Sequence, residues 1–215
     1  MMPKHPRGGE PAVADARPPR LVLASASPAR RRLLEAAGLA FEVLPADVDE
    51  AGIKRRASAD HLAPQAVAEI LAKAKAEAVG ARRPDCVVIG ADQVLALEGE
   101  IFDKPQDLAA AREHLARLRG GVHVLHTAAA LAVAGKSVWS SIAQARLAMR
   151  PFTDAFLARY LASAGPAICR SVGAYEIEGR GIQLFEHVDG DHFSIIGLPL
   201  LPLLGELRRR GVLER

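Results

Sequence analysis

An aspartate that follows directly on a buried apolar strand can hold a metal ion or activate a water, because the strand fixes it in space. Asp92 stands in this way after Val87-Val88-Ile89-Gly90-Ala91, with Gln93 beside it. The segment alone equally allows a polar residue that merely opens a loop. A second group, Ser25-Ala26-Ser27-Pro28-Ala29-Arg30-Arg31, sits where a strand should turn into a helix. Backbone N–H groups at a helix start attract anions. Two hydroxyls can add hydrogen bonds, and Arg30 can clamp a phosphate with two parallel bonds. The other reading is a capped helix with solvated arginines. Lys104, followed by Pro105, could point at a phosphate or simply be solvated. Asp49-Glu50 could offer hard oxygen ligands to Mg²⁺ or Mn²⁺, or form a solvated loop. In Gly173 to Gly181 the glycines allow close approach to a ligand, and Glu178 could accept hydrogen bonds from a base edge. A turn-rich connection would look the same.

Other chemistries find no support. The two cysteines, Cys86 and Cys169, belong to no CxxC pair, and the seven histidines form no ligand set with them. His123 and His126 fall on a predicted strand edge. Nucleophile-elbow, Walker A and dinucleotide-binding glycine motifs are absent. A net charge of +3 suits a phosphorylated ligand as well as plain solubility. Aromatics make up 4% of the chain and no basic-aromatic face is visible, which argues against nucleic acid as a partner. No stretch is long and apolar enough for a membrane span, and the Pro-, Gly- and Arg-rich residues 1–19 read as a flexible tail rather than a secretory signal. A cytoplasmic protein is expected.

These residues must be positioned by elements that the pattern also suggests. Leu21–Ala24 reads as a buried strand, followed by a helix from about Ala29 to Ala37, capped by Ser27. Phe41–Leu44 reads as a strand, and Asp47–Glu50 as a loop. Pro64–Val79 has a helical pattern. Cys86–Leu97 is the clearest strand, closed by a turn at Glu98-Gly99-Glu100. A helix over Asp107–Leu118 and paired strands over His126–Val133 and Val138–Met149 follow. Thr153 caps a helix to about Ser163, Gly173–Phe185 is expected to be extended, and a last helix covers Leu200–Arg210. Alternation of this kind means an α/β fold, and the mix of hairpins and crossovers points to a mixed sheet. With 215 residues, the chain suits one domain over residues 20–215.

Taken in order, several segments resemble the Maf family of nucleotide pyrophosphatases. They are L-A-S-A-S-P-x-R (Leu23–Arg30), V-D-E (Val48–Glu50) and Leu71-Ala72 with Lys75-Ala76. I-G-A-D-Q-V (Ile89–Val94), D-K-P (Asp103–Pro105) and Leu118, Gly120, His123 and Thr127 come next. G-A-Y-E-I-E-G (Gly173–Gly179) and G-L-P-L (Gly197–Leu200) complete the set. The resemblance implies a Maf/inosine-triphosphatase-like mixed sheet in two lobes with a central cleft, and possession of a homodimer. It implies cleavage of a nucleoside triphosphate between the α- and β-phosphates with a divalent cation, Mg²⁺ or Mn²⁺. Asp92 falls on the catalytic position and shares the metal with Glu50. Ser25, Arg30, Lys75 and Lys104 fall on phosphate-facing positions, and Ala29, Gln93 and Glu178 on specificity positions. The Asp-Gln pair looks like the branch acting on 7-methyl-GTP. Ala29 departs from that branch, which has a large aromatic there, and from the commoner pattern, which has arginine. The alternative role that the resemblance carries is a non-enzymatic regulator of cell division.

Overall fold

The computed structural model describes residues 19–214; the tail expected over residues 1–19 lies, Pro19 apart, outside the described residues. Its elements are β1 (Arg20–Leu23), α1 (Pro28–Ala36), β2 (Glu42–Val43), α2 (Glu50–Ala59), α3 (Pro64–Arg82), β3 (Cys86–Leu97) and β4 (Glu100–Phe102). Then come α4 (Leu108–Leu118), β5 (Val122–Val133), β6 (Lys136–Met149), α5 (Asp154–Ala164), β7 (Phe185–Asp189), α6 (His192–Ile196) and α7 (Leu200–Arg209). Two short 3-10 segments, Pro166–Arg170 and Arg180–Leu184, lie between α5 and β7.

One seven-stranded sheet runs β2-β1-β3-β5-β6-β7, with β4 also paired to β3. β1 is parallel to both β2 and β3, while β3 with β4, β3 with β5, β5 with β6 and β6 with β7 are antiparallel. The mixed sheet expected from the sequence is therefore present. The parallel part is covered on both faces, which is why β1 and β3 read as unbroken apolar runs. One face carries α3, whose buried stripe Val67, Leu71, Ala72, Ala76 and Val79 packs at helical spacing. The opposite face packs Leu21, Leu23, Ile89 and Leu131 against Leu34, Leu203 and Leu207. Further along β3 and β5, a separate core gathers Leu95, Leu115, Leu125, Leu147, Leu157 and Tyr175. Each of these fully buried aliphatic side chains contributes roughly 1.5–3 kcal/mol. The separate cores give the two lobes, and β3 and β5 run through both.

On one edge of β3, Cys86–Ile89 pairs with β1 and Leu95–Leu97 pairs with β4. Between them, Gly90–Val94 has no strand neighbour on that side among the described residues. The cleft opens at this gap, just as the carboxyl end of a strand beside diverging neighbours forms a crevice in other open sheets.

Four expectations are corrected. Glu50 does not lie in a loop: Asp49 caps α2, its Oδ1 accepting the Gly52 N–H at 2.8 Å. The helix escapes the pattern because it buries only Gly52 and Ala57. β5 begins at Val122, four residues earlier than expected, so His123 and His126 are interior strand positions. A fully buried histidine takes a place where an apolar residue would have signalled the strand. Residues 173–184 are not extended but fold into turns and a 3-10 segment. A Cβ on Gly181 would lie 2.5 Å from the Glu176 carbonyl oxygen, so the glycine serves a tight turn there. Finally, β7 and α6 follow where no element was expected; both are five residues long.

Candidate active site

Side chains alternate along a strand, so neighbours on β3 point to opposite faces of the sheet. Gly90, Asp92 and Val94 face α3, and Ala91, Gln93 and Leu95 face away from it. Because the edge is open here, both Asp92 and Gln93 reach the same cleft from opposite faces.

Gly90 brings α3 close. A Cβ at this position would stand 2.1 Å from the Ala72 carbonyl oxygen and 2.6 Å from the Ala76 nitrogen. That close approach delivers Lys75, the one charged member of the α3 stripe, to Asp92. Its Nζ lies 2.6 Å from Asp92 Oδ1 and 2.8 Å from Glu50 Oε1. Asp92 Oδ2 has no hydrogen-bond partner among the described residues. Burial acts to raise the Glu50 carboxyl, but the hydrogen bond from Lys75 and the charges of Lys75, Lys104 and Lys54 prevail and hold it low.

Arg30 fills the gap in the sheet from the other side. Nη1 donates to the Ala91 carbonyl at 3.0 Å, a group no strand covers, and to Ser25 Oγ at 3.1 Å. Nε donates to the Gly197 carbonyl at 2.9 Å. Three fixed acceptors leave the Nη2 edge for a ligand. Burial lowers the Arg30 pKa, and the charges of Asp92 and Glu50 oppose that shift. Ser25 lies behind the wall rather than on it and supports Arg30, while Ser27 and Ala29 line the cleft on α1. Lys104 also lines the cleft. Desolvation between the walls, then repulsion from Arg30 and Lys75, lowers its ammonium pKa.

The cleft measures about 740 Å³, within the range of small-molecule sites. Seven basic and five acidic side chains line it, an excess of two positive charges. Apolar side chains also line it: Leu125, Val172, Tyr175, Ile177, Ile195 and Ile196. Gln93 is hydrogen-bonded to the Ser194 and Ile195 carbonyls beside these apolar residues, and Glu178 pairs with Arg32 of α1 at 3.5 Å, both side chains exposed at the cleft. A lining that combines an excess of positive charge with apolar side chains suits a phosphorylated ligand carrying a flat ring.

Residues 20–210 match the family described as Maf-like protein. The chain belongs to the Maf family. Relatives within it include a 7-methyl-GTP pyrophosphatase of Rhizobium etli, 48% identical over 91% of this chain and 98% of its own length. A nucleoside triphosphate pyrophosphatase of Granulibacter bethesdensis is also 48% identical, over 90% of this chain and 98% of its own. One of the same name from Maricaulis maris is 47% identical over 91% and 99%. Both names thus occur at the same level of identity. None of the three is named as a regulator of division, and that alternative is not favoured.

As a Maf protein, the chain gathers Arg30, Lys75, Lys104, Asp92, Glu50, Ala29, Gln93 and Glu178 into one cleft, with Ser25 immediately behind. Sequence reasoning missed Lys54 and Arg55 of α2, Arg32 of α1 and Arg170, all of which line it. Lys54 pairs with Asp103 at 2.5 Å. Its spacing of four from Glu50 would have placed the two on one helix face, had α2 been recognised.

Asp92 and Glu50 converge on one cation, the Lys75 ammonium, and both are hard oxygen donors. Among the described residues no group of three or more His, Cys, Asp or Glu gathers as a closed cage. Asp92 and Glu50 are the residues that could hold a hard cation such as Mg²⁺ or Mn²⁺ together with substrate phosphates. No helix among the described residues is long and apolar enough to cross a membrane.

Proposed function

We propose that the cleft hydrolyses a nucleoside triphosphate to a nucleoside monophosphate and pyrophosphate, with 7-methyl-GTP as the candidate substrate. The observation that carries this reading is the placement of Asp92 at the gap in the sheet, one residue before Gln93 on the opposite face. The triphosphate lies on the Arg30, Lys75 and Lys104 side, and the base against the apolar side chains. Water attacks the α-phosphorus, the Pα–O bond to the β-phosphate breaks, and its electron pair leaves with the pyrophosphate. Asp92 accepts the proton of the attacking water through Oδ2, while Lys75 holds Oδ1 and keeps the carboxylate oriented. The Nη2 edge of Arg30 and the ammonium of Lys104 face the charge that grows on the leaving group, already fixed before reaction. Mg²⁺ or Mn²⁺ bound by Asp92 and Glu50 would supply further neutralisation of the triphosphate. Ala29 leaves the α1 wall open where a larger residue would fill it, and Gln93 and Glu178 read the base edge.

This chemistry draws on the nucleotide pool, which supports a cytoplasmic location, and the family resemblance supports a homodimer that light scattering reads directly. The deciding experiment incubates the purified protein with Mg²⁺, then with Mn²⁺, and a panel of 7-methyl-GTP, GTP, dTTP and UTP. Pyrophosphate and monophosphate in equal amounts are expected, with the ranking giving the base. Orthophosphate as first product, or no cleavage of any member, overturns the reading.

A further inference from the structure

We propose that Thr127 and the turn around α6 are positioning elements that fix the polarity of Gln93, so that the base end of the cleft presents a hydrogen-bond acceptor there. This inference rests on the nucleotide reading for its consequence, but the lock itself is a property of the protein alone.

Gln93 Nε2 lies 2.8 Å from Thr127 Oγ1, 3.0 Å from the Ser194 carbonyl and 3.1 Å from the Ile195 carbonyl. Thr127 is the cross-strand partner of Gln93 in the β3–β5 ladder, so their side chains stand on the same face. Its single hydroxyl hydrogen is donated to the Ser194 carbonyl at 2.8 Å. Only lone pairs of Thr127 are left to face Gln93. All three groups around that end of the amide are therefore acceptors, and only the NH₂ end can satisfy them. A rotated amide would set Oε1 against two carbonyl oxygens and a hydroxyl lone pair. Oε1 has no hydrogen-bond partner among the described residues, and Gln93 itself lines the cleft.

The two carbonyls are fixed in turn. Asp191 Oδ2 accepts the Ser194 N–H at 2.8 Å and the Ser194 hydroxyl at 2.6 Å, which holds α6 closed at its start. Two residues past Ile195, the Gly197 carbonyl receives Arg30 Nε. One short stretch, Asp191–Gly197, thus sets the orientation of both the base-facing amide and the phosphate-facing guanidinium. In an apolar surrounding, an acceptor of fixed polarity favours a base that offers it an N–H and penalises one that offers a lone pair.

The test compares wild type with Thr127→Val and Thr127→Ser in two readouts. Hydrogen exchange of the Gln93 side-chain amide, followed by ¹⁵N NMR on ligand-free protein, reports the lock without any substrate. Slow exchange in wild type and Thr127→Ser, and at least ten-fold faster exchange in Thr127→Val, is expected. The ratio of kcat/KM for GTP to that for ATP reports its consequence. Thr127→Val should reduce whatever preference wild type shows about ten-fold, chiefly through KM, and Thr127→Ser should restore it. Asp191→Ala provides the same comparison if Thr127→Val does not fold. Equal amide exchange in wild type and the altered proteins overturns the lock, and an unchanged ratio overturns its consequence for the choice of base. Absence of cleavage of GTP, ATP and every member of the wider triphosphate panel, 7-methyl-GTP included, with slow amide exchange would leave the lock standing and overturn the nucleotide reading instead.

Discussion

The ammonium of Lys75 lies 2.6 Å from Oδ1 of Asp92, and both side chains are about nine-tenths buried. An ion pair so enclosed is weak evidence of stabilisation as a pair, but loss of one partner strands the other in a poor dielectric.

Replacing Lys75 with Met removes the charge and keeps the length. The stranded Asp92 carboxylate should cost about 3 kcal/mol or more. For a chain of this size that corresponds to a fall in Tm of roughly 6–12 °C. Calorimetry at pH 7 measures it; an unchanged Tm would show that solvent reaches Asp92 freely.

Asp92→Asn separates chemistry from folding. Lys75 keeps its ion pair with Glu50 and the amide oxygen still accepts from it, so the far-ultraviolet spectrum and Tm should stay close to wild type. Turnover should drop by about 10²- to 10⁴-fold, the usual worth of a positioned proton acceptor. Near-normal turnover would remove Asp92 from that role.

Arg30→Lys keeps the charge but not the fork. One ammonium cannot reach Gly197, Ser25 and Ala91 together and still present a free edge. A loss in kcat/KM on the order of ten- to a hundred-fold is expected from steady-state kinetics, while a purely electrostatic role would leave it within a few-fold.

How far the sequence shows this site depends on how local each relationship is. Asp92-Gln93 was legible because an apolar strand runs into it, and Ser27 and Asp107 cap helices as their types suggest. Lys75 was not legible from its own surroundings: within an apolar helical stripe it reads as a surface residue. The Gln93–Thr127 contact spans 34 residues and the Gln93–Ser194 contact 101, so no window of sequence contains either. Helix α2 hides because so few of its residues are buried, and with it Lys54 and Arg55. The short elements β7 and α6 are held by partners distant in sequence rather than by periodicity of their own.

Gly90→Ala tests the close approach that brings Lys75 to Asp92. Its methyl would meet α3 backbone at 2.1 Å and 2.6 Å, and backbone cannot step aside as a side chain can. A destabilisation of about 3 kcal/mol, the upper end for overpacking, is expected in urea titration, with turnover reduced as well. A stable and fully active variant would show that α3 has freedom to move.

His123 makes stability depend on pH. Its Nε2 lies 2.7 Å from the Tyr175 hydroxyl, and burial pushes its pKa down to about 4 from the usual 6.5. The unfolded chain therefore takes up this proton first as the medium is acidified. The contribution to stability is complete above pH 6.5 and is lost between pH 6.5 and about 4. His114 and His126 shift in the same direction through burial, so the comparison is with His123→Phe. The urea midpoint of wild type should fall more steeply over that window than that of the variant; parallel curves would exclude His123 as the cause.

The ladder between β3 and β5 runs without a break from Val87–Val133 to Ala96–Val124, straight past the gap that opens the cleft. The two lobes therefore share a continuous beam and cannot swing about a flexible joint between them. Opening the jaws by rotation would mean breaking backbone hydrogen bonds beneath Asp92 itself. Admission and release of ligand must then be managed at the rim, where the Arg32–Glu178 contact and the outer face of α2 are exposed, while the floor that carries the reacting groups stays still. Machinery of this build spends little on rearranging its centre and leaves its adaptability to the exposed rim.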